Sequence, residues 1–181
     1  MKSDKIGRLL YVSMMRMPTE KAHGLQITQN CEAFADEGWD VQLWVARRFN
    51  AGMRHVRDPY AYYGVTPSFA IERVPCVDLM PLAGHHLRLS QLAFYVQMLT
   101  YVMVMLIRML WTRADVYYSR DEAILYALSW LKPRASLVYE AHLYSPTARG
   151  AWLQSQVCRR VGSVVAITPR LREDLIARGA D

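Results

Sequence analysis

The chain has 181 residues, 52% of them hydrophobic and 21% charged, a balance that suits a globular protein with a sizeable core and excludes a disordered or fibrous one. A formal net charge of +6 points to an anionic partner: a nucleotide diphosphate, a nucleic acid or an acidic membrane surface. Cys31, Cys76 and Cys158 are odd in number, widely spaced and without a C-x-x-C pair. They read as reduced thiols of a cytosolic protein, and the charged stretch Met1 to Gly7 lacks the apolar run of a signal peptide.

Leu9-Leu10-Tyr11-Val12 reads as a buried strand ending at Ser13. Ile27, Cys31, Phe34 and Ala35 then recur at helical spacing, with Glu32, Asp36 and Glu37 turned outward and Gly38 as the stop. Val41-Gln42-Leu43-Trp44-Val45 follows as a second strand, completing a βαβ unit. Arg47 to Tyr63, punctuated by Gly52, Pro59 and Gly64, reads as a long irregular loop of the kind that carries function or moves. Ala70 to Val74 is a third strand.

Leu89 to Ile107 holds no charged residue and approaches the roughly 20 apolar residues of a membrane span. Ser90, Gln97, Tyr101 and Arg108 nevertheless share one seam of the helical wheel, which favours a helix packed on a sheet over a lipid-facing cylinder. A helix from about His86 to Trp111 is expected to pack by one face and leave the other for a membrane surface or a partner. Strands at Val116-Tyr117-Tyr118, Leu137-Val138-Tyr139 and Val164 to Ile167 each precede a helical stretch, the rhythm of a doubly wound parallel sheet covered on both faces. Thr168 caps the last helix, Pro169 suits its first turn and Gly179 its end.

Three strand ends carry candidate chemistry. Arg16, Glu20, Lys21, His23 and Gly24 lie in a basic, glycine-bearing loop that opens the first helix, where free N–H groups attract anions. The competing reading is that Gly24 merely allows close packing and His23 is solvated. Arg120 and Asp121 follow the fourth strand, as ligands or as a helix cap with a solvated arginine. Glu140 and His142 put a carboxylate and an imidazole at the next strand end, for proton transfer or hydroxyl contact, against a histidine satisfied by backbone. His85-His86 lacks metal-ligand spacing, and no metal is expected. The absence of G-x-G-x-x-G, G-x-S-x-G and P-loop patterns disfavours nicotinamide, flavin, serine-hydrolase and P-loop chemistry.

Pro18 to Ile27, Ala33-Phe34-Ala35, Gly38, Tyr118-Ser119-Arg120-Asp121, Tyr139-Glu140-Ala141-His142 and Ala166-Ile167-Thr168 together resemble the N-terminal domain of family 4 glycosyltransferases. The resemblance spans nearly the whole chain, 1–181, and is densest in the first fifty residues. It implies a Rossmann-like α/β half of a GT-B fold, the acceptor-side half of a retaining enzyme that moves a sugar from a nucleotide-sugar donor. The implied acceptor is a cell-surface polysaccharide or lipid-linked glycan. His142 would match the crevice histidine that contacts the donor sugar, the loop at Gly24 would lie beside the diphosphate and acceptor, and Arg120 would border the acceptor. No metal or cofactor beyond the donor, and no nucleic acid, is implied.

Family members carry a second Rossmann domain with the Arg/Lys pair for the diphosphate and a Glu-containing motif, neither of which has a counterpart here. The expectation is a half-enzyme, inactive alone, cytoplasmic and peripheral at the inner face of the membrane. The alternative is a non-catalytic basic α/β module that binds a nucleotide, a polyanion or a membrane surface.

Overall fold

A computed structural model describes residues 5–84 and 86–180; His85, half of the histidine pair, lies outside the described residues. Six strands, β1 (Gly7–Arg16), β2 (Trp39–Ala46), β3 (Ala70–Val74), β4 (Val116–Ser119), β5 (Leu137–Ala141) and β6 (Ser163–Ala166), form one sheet in the order β3-β2-β1-β4-β5-β6. Every pairing is parallel. The helices are α1 (Ala22–Asp36), α2 (Pro59–Tyr63), α3 (Met80–Ala83), α4 (Leu87–Met109), α5 (Glu122–Leu128), α6 (Ala148–Arg160) and α7 (Pro169–Ile176). The architecture is the Rossmann-like doubly wound sheet expected from the βα rhythm.

Side-chain alternation along the strands divides the core. Leu10, Val12, Trp44, Tyr117 and Tyr139 face one side, where α4, α5, α6 and α7 supply Tyr101, Met105, Ile124, Val157 and Leu171. Leu9, Tyr11, Leu43 and Val45 face the other, under Ile27 and Cys31 of α1.

The local signals at helix ends hold. Thr168 Oγ1 accepts from Leu171 N at 3.2 Å, and Gly38, at φ 96°, donates to Ala35 O just beyond α1, a left-handed stop that an L side chain resists. Two expectations change. β1 does not end at Ser13: after an irregularity it continues until Arg16 pairs with Ala46, because neighbouring β2 extends far enough to hold it. The stretch 47–63 is not wholly irregular either, since Asp58 caps α2 through Tyr60 N and Ala61 N, Pro59 opens it and Gly64 closes it at φ 66°.

In α4 the polar seam turns inward. Gln97 and Tyr101 are fully buried, Tyr101 donates to Ser13 O at 3.0 Å, and Arg108 pairs with Glu72 and stacks over the Trp44 ring at 4.4 Å. Leu92, Tyr95, Leu99, Met103, Ile107 and Trp111 remain exposed on the outer face. The helix is long and apolar enough to cross a membrane by length and composition, yet one face is committed to the sheet.

Candidate functional site

Strand order reverses between β1 and β4, and the crevice outside the carboxyl ends of such a pair is where open parallel sheets bind ligands. A pocket of about 450 Å³ occupies that position. β1 contributes Ser13, Met14, Met15 and Arg16; the β1–α1 loop and α1 contribute Thr19, Lys21, His23 and Ile27; Arg48 follows β2, Met80 opens α3, and Arg120 and Asp121 follow β4.

The wall is electropositive, and its one carboxylate is turned into the protein. Asp121 accepts from Ser13 Oγ at 2.9 Å and from Met14 N at 2.8 Å, and so ties β4 to β1 instead of capping α5. Burial raises its carboxyl above the ordinary value, while the Met14 N–H and Ser13 hydroxyl oppose that rise. Glu20 lies beside the pocket, paired with Arg16 at 3.2 Å and accepting from Asn50 at 3.1 Å. Burial lowers the His23 pKa, and Arg120, Lys21 and Arg16 lower it further, so the imidazole registers three cations around it.

Arg48 and Arg120 differ from a solvated pair of arginines. Nε of Arg48 and Nη1 of Arg120 are both buried without a hydrogen-bond partner among the described residues. A buried donor left unpaired costs about 1–3 kcal/mol, and Arg8 Nε, Trp44 Nε1 and the Gln97 side-chain amide are buried unpaired in the same way.

The loop that shapes the pocket is clamped from beneath. Tyr63 of α2 accepts from Thr19 N at 2.7 Å and donates to Thr19 O at 2.8 Å. Gly24 sits under the same clamp: a Cβ there would lie 2.5 Å from Thr19 Cγ2 and 2.5 Å from Tyr63 Oη. Its N–H donates to Lys21 O at 2.9 Å. Gly24 is therefore placed by close packing beneath the pocket rather than in its wall.

Glu140 and His142 form a second cluster, on the α1 side of the sheet at the end of β5. Glu140 is 3% exposed; it accepts from Tyr11 Oη at 2.7 Å and from Asn30 Nδ2 at 3.4 Å, and its Oε1 lies 2.5 Å from His142 Nε2. A carboxylate so placed accepts a hydrogen bond from Nε2–H and fixes the plane of the ring, with Nδ1 on the side away from Glu140. The neighbouring Tyr11 and Tyr118 hydroxyls are pushed to higher pKa, first by burial and then by the charge of Glu140.

The structure thus gathers Arg16, Lys21, His23, Arg120 and Asp121 into one wall, leaves Glu20 at its rim, and sets Glu140 and His142 one strand further along the same edge. Arg48, Tyr63, Tyr11 and Asn30 are participants that the sequence did not single out. Only Arg48 had a signal there, as a cation directly after a strand.

No family model matches the chain, and no curated protein matches it. Among solved structures the chain is similar to sucrose-phosphate synthase from Thermosynechococcus elongatus, with TM-score 0.62 and 11% identity over 96% of this chain. The chain spans 45% of that protein's length. A likeness at this identity establishes a shared fold alone, the Rossmann-like doubly wound parallel sheet.

Proposed function

We propose that this chain is the acceptor-side domain of a retaining GT-B glycosyltransferase of the family 4 type, working with a second domain that holds most of the nucleotide-sugar donor. The observation that carries the reading is the cation-lined pocket at the β1/β4 switch point with a carboxylate-held histidine on the adjacent strand end. His142 offers a fixed ring nitrogen to the donor sugar. The cations complement negative charge on the bound reactants and on the departing diphosphate. The resemblance in motif order and the fold shared with an enzyme named as a sucrose-phosphate synthase support the same reading.

We place the protein in the cytoplasm, peripheral at the inner membrane face, with a polysaccharide or lipid-linked glycan as acceptor. From Leu79 to Ala114 there is no acidic residue, while Arg88 and Arg113 flank the exposed apolar face of α4, a combination that suits an anionic lipid surface. The test of function is sugar transfer from a panel of nucleotide sugars to membrane extract, by this chain alone and with a GT-B C-terminal domain supplied. Transfer that requires both parts and falls in His142→Ala is expected. Binding of nucleotide or polyanion without transfer under any condition would favour the non-catalytic module.

A further inference from the structure

The segment that carries His142 away from β5 has little packing of its own. From 142 to 147 the backbone is neither helix nor strand, and Leu143 and Tyr144 are 77% and 48% exposed. Such a segment opens cheaply unless polar contacts hold it. Two side chains supply them. Gln154 of α6, fully buried, donates from Nε2 to Leu143 O at 2.8 Å and to Tyr139 Oη at 3.0 Å, and accepts from Ser145 N at 3.3 Å. Arg178, in the turn after α7, donates from Nη1 to Gln154 Oε1 at 2.7 Å and from Nη2 to Ser145 O at 3.2 Å, with its Cζ 3.3 Å from the centre of the Tyr144 ring.

We infer that Arg178 is a positioning residue for His142, an inference that rests on the donor-sugar role given to His142 above. Glu140 holds the ring through Nε2, but the ring's place at the sheet edge also depends on the backbone that continues past Ala141, the end of β5. One amide grips that backbone on both sides of Tyr144, at Leu143 O and at Ser145 N. With two hydrogen bonds given by Nε2 and two received by Oε1, the Gln154 amide has no capacity left. Arg178 sets its orientation, because a planar guanidinium fork serves Gln154 Oε1 and Ser145 O together and a flexible ammonium does not.

Arg178 is itself fixed. Its carbonyl accepts from Ser155 Oγ of α6 at 2.9 Å, and its N–H donates to Leu175 O at 2.9 Å. The segment also lies tightly on the first turn of α6, where a Cβ on Gly150 would fall 1.9 Å from Ser145 Oγ. Neither Tyr144 nor Arg178 belongs to the two core clusters. Removing the fork should therefore loosen the segment and leave the sheet intact.

Amide exchange and NMR of the full chain read this without any assay of transfer. In Arg178→Met, exchange of the Ser145 N–H should quicken about tenfold and the His142 ring resonances should broaden or divide, while the amides of β1 and β5 keep their wild-type protection. Arg178→Lys, which keeps the charge without the fork, should recover only part of both. In the two-domain transferase proposed above, Arg178→Met should lower kcat about tenfold with donor and acceptor KM little changed, and should add nothing to the loss in His142→Ala. Unchanged Ser145 exchange and ring resonances in Arg178→Met overturn the inference, and so do additive losses with His142→Ala, which would give Arg178 to the fold at large. Transfer by Arg178→Met at the wild-type rate would also remove the inference and leave the glycosyltransferase reading intact. Loosening of the segment in Arg178→Met, without transfer from any nucleotide sugar by the wild type, would do the reverse.

Discussion

His142 Nε2 and Glu140 Oε1 meet at 2.5 Å across Ala141, the last residue of β5, so a buried carboxylate fixes the imidazole at the sheet's carboxyl edge. Glu140 is itself anchored by Tyr11 in the centre of the sheet and by Asn30 of α1. Histidine orientation therefore depends on β1, β5 and α1 together.

In the two-domain transferase proposed above, His142→Ala should lower kcat by about 10²-fold with little change in acceptor KM. Glu140→Gln, acting only through the ring's orientation, should cost about tenfold, and the double variant should be no worse than His142→Ala alone. Steady-state transfer with the four proteins of the cycle measures this. Additive losses would show that Glu140 acts apart from His142.

The clamp under the first loop predicts stability effects. Tyr63→Phe leaves a buried Thr19 N–H and carbonyl without their shared partner and should cost about 1–3 kcal/mol. Gly24→Ala puts a methyl against Thr19 and Tyr63 and should cost about 1–3 kcal/mol by overpacking. Urea unfolding followed by circular dichroism reads both, and a neutral Gly24→Ala would mean that the loop yields freely.

His23 gives a pH signature with a defined sign. Its folded pKa lies below the ordinary value, through burial first and then Arg120, Lys21 and Arg16. The folded state thus binds fewer protons than the unfolded state as pH falls. The associated stability is intact above the ordinary histidine pKa of about 6.5 and is lost as pH drops through the lowered folded value. Between neutral and mildly acidic pH the urea midpoint of wild type should fall more steeply than that of His23→Gln, and parallel curves would remove His23 from that dependence.

The outer face of α4 predicts membrane association. Co-sedimentation should be strong with vesicles containing anionic lipid and weak with neutral ones. Leu99→Glu combined with Met103→Glu, both at exposed positions, should abolish it without unfolding the chain. Equal recovery in the supernatant for both vesicle types would show that this face does not meet lipid.

Features encoded within a few residues were legible in the sequence: the βα alternation, the Thr168-Pro169 helix start, the Gly38 stop and the apolar length of α4. Backbone capping and side-chain period are local physics, and neighbours in sequence suffice to express them. The Asp58-Pro59 start of α2 was equally local, but its five residues carried too little periodicity to stand out from a loop. Tertiary structure alone decided that the Gln97–Tyr101 seam faces inward, since the acceptor of the Tyr101 hydroxyl is Ser13 O on β1. It also decided that Asp121 meets Ser13, 108 positions away in the chain, and that Arg48 and Arg120 share one pocket. Those meetings arise from strand order in the sheet, and no spacing along a single segment records which strand ends become neighbours.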